Sequence, residues 1–366
     1  MEAADALALI FRRQGICPKA ADPPSATSAA LAIQSQYAAT IPQSVVLRSA
    51  RYSAGWTERE LARGEELVRT WSIRYTLHTH RRSDFQLVQQ ATGKARYERF
   101  RHWMTRWRMS DHELDRLLDE VRAALTDGPL TRYEIHERVP FLRQVPGTGW
   151  GVDVMGLAYL GELALAGGVT GSTKFRLIEP PAAIPHEEAL RLLILRYFES
   201  YEPATLDDFR YWAGISAVHA RQALLAARPG LQEVEVEGWP GVRYVRIGGT
   251  EHEGEIFGVC LLPKFDSLLM GYRDKSLFLP DRLKPLVFRK AGQVEATILK
   301  DGRVCGTWRL ASAATAAKNR VLRRPTFSFE LYRNLGKRDL ARLEQAAHRL
   351  ARRLRLGEPE LVFRSL

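Results

Sequence analysis

The chain has 366 residues, a mean hydropathy of −0.25 and a formal net charge of +12. This length predicts a soluble protein of roughly two to four modules, and no apolar run approaches the ~20 residues that a membrane-spanning helix needs. Residues 281–366 carry 20 Lys and Arg against 8 Asp and Glu, so the whole positive excess falls in the last quarter. Such a stretch is typical of polyanion binding, and a merely solvated basic tail is the alternative.

The N-terminus and the cysteines both indicate a cytoplasmic protein. Acidic residues precede Arg12 and Arg13, which is the reverse of the charge order in a secretory signal. The three cysteines are scattered, without CxxC or Cys/His metal spacing, and indicate unpaired thiols in a reducing compartment. His78 and His80 are the closest pair of histidines, and they lack carboxylate or cysteine companions. We therefore expect no metal, no other cofactor and no membrane association.

The first part of the chain predicts several helices followed by a short β element. Thr57 and Glu60 have the spacing of a capping box, and residues 71–78 alternate as a strand does. Helical spacing of apolar residues is found at 4–14, 31–40 and 42–52. Helices followed by a short β element are the order of a winged helix.

The same plan recurs twice. In the second pass Thr131 and Glu134 again have capping-box spacing, and in the third Gly238 to Gly241 join two short strands as a hairpin. The predicted helices are 84–108, 111–125, 155–166, 185–201 and 216–227, and the predicted strands are 174–178, 234–236 and 242–247. We therefore predict three tandem winged-helix domains, at residues 1–90, 91–180 and 181–256.

From Val259 the pattern changes to short strands. Asp301-Gly302 between alternating apolar residues favours a type I′ hairpin turn. We expect a basic C-terminal domain at residues 257–366, built as a small β-barrel or curved sheet and closed by a helix at 340–356. The predicted fold class is α+β.

Two long neutral side chains, Gln34 and Gln36, lie one residue apart inside the predicted helix 31–40, next to Tyr37. A carboxamide can hold a water molecule through donor and acceptor groups without carrying a charge. Residues i and i+2 point away from each other on a regular helix, so both can meet one substrate only at a helix end or through their length. Two glutamines on a solvated helix face are the alternative.

Three stretches of sequence belong together. They are Gln34-Ser35-Gln36; Leu261-Leu262-Pro263-Lys264-Phe265-Asp266, with 271–276 and 279–280 just beyond it; and 301–309. Together they resemble the AlkZ-like DNA glycosylases, a bacterial family of tandem winged-helix proteins, and residues 71–78 match more loosely. The family has an aliphatic residue where this chain has Ser35, and one branch has Asp where this chain has Gln36. The chain thus resembles the neutral-amide branch, which protects antibiotic producers from their own DNA-alkylating products.

The resemblance implies a monofunctional glycosylase that hydrolyses the N-glycosidic bond of N7- or N3-alkylated purines in double-stranded DNA, bulky or crosslinked adducts included. An alkylated base is a cationic leaving group, so a positioned water and preorganised dipoles would suffice. Gln34 and Gln36 are the expected catalytic residues, and no lysine adjoins them in sequence, which predicts an abasic product without strand cleavage. Tyr37 and His78 are candidates for lining the lesion, with local packing as the alternative for each.

The resemblance also implies a DNA-binding channel, with a hairpin of the C-terminal domain against the minor groove. Base flipping is the usual way to expose a glycosidic bond, and an open channel would instead leave room for a bulky adduct. The candidate DNA contacts are Lys318, Arg320, Arg323, Arg324 and Arg303. Asp266 and Asp274 match family positions, without a chemical role that follows from the residues.

We expect a monomer in the bacterial cytoplasm, associated with the nucleoid. The alternative function is a non-catalytic winged-helix DNA-binding protein, either a transcription regulator or a lesion-sequestering resistance protein, because most winged helices bind DNA without chemistry.

Overall fold

The computed structural model describes residues 1–145, 147–148, 151–169, 171–248, 258–311 and 324–365. Helices and strands alternate along most of the chain, and the fold is mixed α and β, as predicted. Within these ranges no helix is long and apolar enough to cross a membrane.

The first repeat follows α1 (Ala3–Arg13) and has three helices and a three-stranded sheet. Its elements are α2 (Pro23–Ala30), β1 (Ile33–Gln34), α3 (Thr40–Arg48), α4 (Trp56–Arg63), β2 (Leu67–Trp71) and β3 (Leu77–Arg81). β1 pairs with β3 and β3 pairs with β2, both antiparallel. The early strand β1 therefore completes the sheet at the edge of the later hairpin.

The prediction of a helix at 31–40 is wrong. The helix lies earlier, because Asp22 caps the N–H of Ser25 and proline occupies the first turn of α2. Leu31 then adopts a positive φ of 58°, which ends α2. The next residues bond to β3 instead of to each other, so the glutamine motif lies on a strand and the loop after it.

The capping box predicted at Thr57 and Glu60 is also wrong. Gly55 is the N-cap of α4, and the Thr57 hydroxyl lies 3.0 Å from the Tyr52 hydroxyl. Oε1 of Glu60 accepts the N–H groups of Glu66 and Leu67, at 2.6 and 3.1 Å. Glu60 therefore fixes the start of β2 rather than the start of α4.

The second repeat has the same element order and the same strand order. α5 (Arg82–Arg106) leads into α6 (Asp111–Leu125), β4 (Leu130–Thr131), α7 (Arg132–Arg138), α8 (Val152–Leu160), β5 (Leu163–Gly167) and β6 (Thr173–Leu177), in a sheet ordered β4-β6-β5. The capping box of Thr131 and Glu134 is confirmed, with hydrogen bonds in both directions. The predicted helix 155–166 ends early, because Gly161 takes a left-handed conformation and the chain turns into β5.

The third repeat is made of α9 (His186–Tyr201), α10 (Leu206–Ala213), α11 (Ala217–Ala227), β7 (Leu231–Val236) and β8 (Trp239–Arg246). An isolated β-bridge between Ala204 and Tyr244 takes the place of the short strand that precedes the two middle helices in the first two repeats. The predicted hairpin is present with a shorter turn, and β8 begins at Trp239 rather than at Val242. The same order of elements thus occurs three times: a helix, a short strand or bridge, two helices and a hairpin.

The C-terminal part contains β9 (Val259–Leu262), α12 (Ser267–Met270), α13 (Lys284–Val287), β10 (Ala296–Lys300), β11 (Arg303–Ala311), β12 (Thr326–Leu331), α14 (Lys337–Leu354) and β13 (Glu360–Ser365). Asp301 and Gly302 both have positive φ and join β10 to β11, as predicted.

The closed barrel is not found in the described part of the chain. The strands form an open sheet in the order β13-β12-β11-β10-β9, whose two edges are β9 and β13. β13 was not predicted, and it pairs in parallel with β12. Leu343, Ala347 and Leu350 of α14 share one core with Ile298 and Trp308 of the sheet. Because the helix covers this apolar face, the sheet buries its core without closing.

Buried polar contacts join the first repeat to the C-terminal part. Arg48 at the end of α3 donates to both carboxylate oxygens of Asp266, at 2.7 and 2.8 Å, and both side chains are fully buried. Nη1 of Arg353 in α14 donates to the carbonyls of Val46 and Ser49, which also belong to the end of α3. The position of the glutamine motif relative to the C-terminal sheet is therefore fixed.

Candidate active site

The two glutamines converge on the beginning of β3. Gln34 is the register partner of His78, and the hydrogen bond from Ser35 N–H to the Leu77 carbonyl, 2.8 Å long, extends the pairing by one residue. Oε1 of Gln36 accepts the N–H of Leu77 at 3.3 Å. On an extended chain, residues two apart lie on the same side, so the difficulty that a helix would have created does not arise.

Gln34 is held by an arginine that sequence reasoning did not single out. Its side chain is only 7% exposed, and its Oε1 accepts a hydrogen bond from Nη2 of Arg74 at 3.3 Å. The same Nη2 lies 3.3 Å from Nε2 of His78. One guanidinium thus contacts the predicted catalytic residue and the predicted lesion-lining residue together.

His78 is neutral and has a defined tautomer. Its Nδ1 lies 3.0 Å from the carbonyl oxygen of Thr76, which can only accept, so Nδ1 carries the proton. Nε2 is then free to accept from Arg74. Burial, and after it the charges of Arg74 and His80, hold the pKa of His78 well below its ordinary value of 6.5. The imidazole is therefore uncharged at neutral pH.

The backbone that carries Arg74 is strained. Arg74 and Tyr75 have φ of 54° and 59°, a conformation that costs a non-glycine residue about 1–3 kcal/mol. Nη1 of Arg74 donates to the carbonyl of Trp212 at 2.7 Å, and a Cβ on Gly214 would lie 3.3 Å from the Arg74 nitrogen. The third repeat therefore holds this turn of the first repeat in place.

Residues 71–78 are consequently not the single strand that their alternation predicted. β2 ends at Trp71, one turn of 3-10 helix occupies 73–75, and β3 begins at Leu77. The looser family match of this stretch was the only sequence signal for Arg74, since the turn gives it no helical or strand periodicity.

Tyr37 lies at the exposed end of the motif and reaches the C-terminal part. Its side chain is 44% exposed, and its hydroxyl donates to Oε1 of Gln293 at 2.9 Å. The Tyr37 ring lies 6.0 Å from the ring of Phe265, and Nζ of Lys264 is 5.6 Å from its centroid. Two residues of the 261–266 motif therefore contact the residue that follows the glutamines.

The side-chain carboxamides of Gln34 and Gln36 form hydrogen bonds through their oxygens only, within the described chain. In the part of the chain that the structure describes, the hydrogen bonds of these two side chains go to the oxygens, and neither Nε2 has a protein partner. Each oxygen keeps a second lone pair, and each nitrogen keeps its N–H donors. The pair can therefore accept from and donate to a molecule placed beside them.

Of the five candidate DNA contacts, the structure describes only Arg303 and Arg324, and these two do not lie together. Lys318, Arg320 and Arg323 lie outside the described residues. Arg303 and Arg324 are both exposed. Arg303 is the first residue of β11, whereas Arg324 lies beyond the other end of β11, just before β12. At ~3.4 Å per residue, β11 alone separates them by roughly 27 Å.

Asp266 and Asp274 have structural partners. Asp266 forms the buried ion pair with Arg48, and Oδ2 of Asp274 lies 3.6 Å from Nη2 of the buried Arg243. A cavity of about 260 Å³ lies elsewhere, between α1, α3, β9 and α14, and neither glutamine lines it. Across the described ranges, no three His, Cys, Asp or Glu side chains are placed as metal ligands would be.

The chain is similar to known proteins both in sequence and in fold. The model of the family described as DNA glycosylase AlkZ-like matches residues 27–353. An interstrand DNA cross-link repair glycosylase from Streptomyces sahachiroi is 27% identical over 310 residues, which cover 76% of this chain and 79% of that protein. The solved structure of Streptomyces sahachiroi DNA glycosylase AlkZ matches with a TM-score of 0.80 and 22% identity over the full length of both chains, which shows a shared fold. The match over most of its length places the chain in the AlkZ-like DNA glycosylase family, and it is therefore an enzyme that cleaves N-glycosyl bonds in DNA.

Proposed function

We propose that this enzyme hydrolyses the N-glycosidic bond of N7- or N3-alkylated purines in double-stranded DNA, including bulky adducts and interstrand crosslinks, and leaves an abasic site. The observation that carries the proposal is the Gln34 carboxamide, which Arg74 holds beside a neutral His78. The Streptomyces relative is named for the repair of interstrand DNA cross-links, and this supports the inclusion of crosslinked purines.

The chemistry of the site favours a base that is already cationic. The hydrogen-bond partners of Gln34 and Gln36 are a guanidinium and a backbone N–H, and no carboxylate is among them in the described chain. His78 is neutral, and its one proton is directed at the Thr76 carbonyl. A site without a general acid cannot protonate a departing base, so it suits a purine to which alkylation has already given a positive charge.

Gln34 and Gln36 would position the nucleophile. The free lone pair of Gln34 Oε1 can accept a hydrogen bond from a water molecule and direct its oxygen at C1′ of the lesion nucleotide. The carboxamide dipole of Gln36 can stabilise the positive charge that develops on the sugar. As the water oxygen bonds to C1′, the C1′–N bond breaks, its electrons neutralise the cationic base, and the water proton passes to solvent.

The threefold element order supports three tandem winged-helix domains around the DNA. We propose that the basic residues Lys318, Arg320, Arg323, Arg324 and Arg303 contact phosphates, and that the exposed ring of Tyr37 stacks on the lesion. We further propose that the enzyme acts as a monomer in the bacterial cytoplasm, on the nucleoid. Membership of an enzyme family favours this function over a non-catalytic DNA-binding protein.

The test is release of 7-methylguanine from methylated duplex DNA. We expect the wild type to release the base, and Gln34→Ala and Gln36→Ala each to slow release by about a hundredfold while binding to the same duplex persists. Gln86→Ala, at an exposed position of α5, is the matched control and should be as active as the wild type. Unchanged activity in both motif variants would refute the site. Tight binding by the wild type without release from any alkylated duplex would favour the non-catalytic alternative.

The monofunctional character can be tested on the same substrates. Lys275 is the lysine to exclude, because its ammonium and the Arg74 guanidinium both lie over the Tyr211 ring, at 4.7 and 5.8 Å. Its Nζ donates to the carbonyl of Tyr272, and burial lowers the pKa of Lys275 to about 8. We expect no covalent protein–DNA adduct on borohydride reduction during turnover, and a trapped adduct would show a lyase step.

A further inference from the structure

A buried cluster lies on the face of the first sheet opposite Gln34. It consists of Arg69 on β2, Thr79 on β3 and Ser35 after β1, and we call it the Arg69 cluster. Arg69 and Thr79 are register partners, and Thr79 is also the partner of Ile33, which precedes Ser35 by two residues. Paired residues, and residues two apart on a strand, lie on the same face. The three side chains therefore converge on one side of the glutamine motif.

Most polar side-chain atoms of this cluster lack a partner among the described residues. Arg69 is 4% exposed, and Ser35 and Thr79 are fully buried. Nη2 of Arg69 donates to the Ser35 carbonyl at 3.0 Å. In the part of the chain that the structure describes, Nε and Nη1 of Arg69 and the hydroxyls of Ser35 and Thr79 have no hydrogen-bond partner. A buried polar atom without a partner costs about 1–3 kcal/mol, so four of them in one place point to a bound species.

The positive charge of Arg69 favours a negatively charged species at this position. None of the ion pairs within the described ranges involves Arg69, whereas the equally buried Arg48 has the carboxylate of Asp266. Arg96, which also lacks a carboxylate, has side-chain oxygens of Thr92 and Gln89 on its terminal nitrogens. Burial lowers the pKa of Arg69 to about 10, and Glu58 offsets part of this effect. Water can satisfy the donors, whereas a bound anion would also balance the charge that Glu58 offsets only in part.

The room around the guanidinium limits the size of the anion. A Cβ on Gly168 would lie 3.1 Å from Nη1 of Arg69, so the backbone of the β5–β6 turn covers it closely. Oε2 of Glu58 accepts the N–H of Val169 at 3.0 Å, and within the described ranges Glu58 forms no ion pair with Arg69. The buried Ser35 adds a hydroxyl donor to the cluster.

We propose that the Arg69 cluster binds a small monovalent anion of the halide class, held by Nε and Nη1 of Arg69 and by the hydroxyls of Ser35 and Thr79. Through Arg69 the anion stabilises the Ser35 carbonyl, and with it the backbone between the two glutamines. The proposal does not depend on the reaction that the enzyme catalyses, so its tests are binding and thermal stability.

The direct test is a crystal of the full chain grown in sodium bromide. We expect an anomalous difference peak between the Arg69 guanidinium and the hydroxyls of Ser35 and Thr79. Absence of this peak, with solvent density alone in its place, would overturn the proposal.

The solution test compares the melting temperature in potassium chloride and in potassium gluconate at equal ionic strength. Saturating chloride should raise the melting temperature of the wild type by about 1–2 °C. Thr79→Val keeps the β-branched shape and removes one donor, and should reduce the apparent chloride affinity by about tenfold. Thr297→Val is the matched control, because Thr297 on β10 is another buried threonine whose hydroxyl has no partner in the described ranges. The proposal fails if the wild type melts alike in both salts, or if Thr79→Val and Thr297→Val respond alike to chloride.

Discussion

Nη2 of Arg74 lies 3.3 Å from Oε1 of Gln34, while Nη1 of the same guanidinium lies 2.7 Å from the Trp212 carbonyl oxygen. A residue of the third repeat therefore orients a catalytic candidate of the first repeat through a single side chain. The backbone of Arg74 is in a left-handed conformation, and this conformation directs the guanidinium at both contacts. Orientation of Gln34 is thus a property of the assembled repeats.

We expect Arg74→Lys and Arg74→Ala to lower the rate of base excision by roughly a hundredfold, because a misdirected nucleophile-positioning group costs about that much. A lysine ammonium cannot span Gln34, His78 and the Trp212 carbonyl as the planar guanidinium does. Single-turnover release of 7-methylguanine measures the effect, and affinity for the same duplex should change little. Arg63→Ala, at an exposed position of α4, is the control. If the Arg74→Ala enzyme releases the base as fast as the Arg63→Ala enzyme, Arg74 has no positioning role.

Replacement of Tyr37 separates its two contacts. Tyr37→Phe removes the hydrogen bond to Gln293 and keeps the ring, so binding of lesion DNA should weaken only slightly. Tyr37→Ala removes the stacking surface and should weaken binding by about 1–3 kcal/mol. Fluorescence anisotropy with matched lesion and undamaged duplexes distinguishes the two. Equal losses on both duplexes would mean that Tyr37 does not recognise the lesion.

Stability should fall as the pH drops below about 6.5. Burial holds His78 well below its ordinary pKa and lowers the pKa of His80 to about 4, so the unfolded chain binds protons that the folded chain does not. Their contribution is fully present above the unfolded pKa and is lost toward the folded pKa. His80 alone should lower the free energy of unfolding by on the order of 2 kcal/mol between pH 7 and pH 5.

Urea denaturation at the two pH values measures this loss. His80→Asn should flatten the pH dependence, whereas His112→Gln, at an exposed position of α6, should leave it as in the wild type. A wild-type stability that does not change over this range would contradict the neutral, buried state of both imidazoles.

The ion pair between Arg48 and Asp266 should matter for stability rather than for chemistry. Asp266→Asn leaves a fully buried guanidinium without its counter-charge and should cost about 3–5 kcal/mol. Asp281→Asn, at an exposed carboxylate, should change stability by less than about 0.5 kcal/mol. Denaturation measures both, and the double change Arg48→Met with Asp266→Leu should recover part of the loss. A folded Asp266→Asn enzyme with wild-type stability but no activity would instead assign Asp266 to the reaction.

Elements with a local cause could be predicted from the amino-acid sequence alone. The Asp301-Gly302 turn, the capping box of Thr131 and Glu134, and α9 and α11 follow from residues within a few positions of each other. The long family motifs likewise identified the enzyme class, because a motif can be recognised from consecutive residues without the contacts that they form.

Contacts between residues that are distant in sequence could not be predicted and depend on the folded chain. Residues 33–34 are a strand because β3, more than forty positions later, supplies their hydrogen bonds, and the local helical spacing could not reveal that partner. The role of Arg74 depends in the same way on Trp212, and the openness of the C-terminal sheet depends on α14. In each case the deciding partner is far away in sequence, where neither periodicity nor propensity carries information.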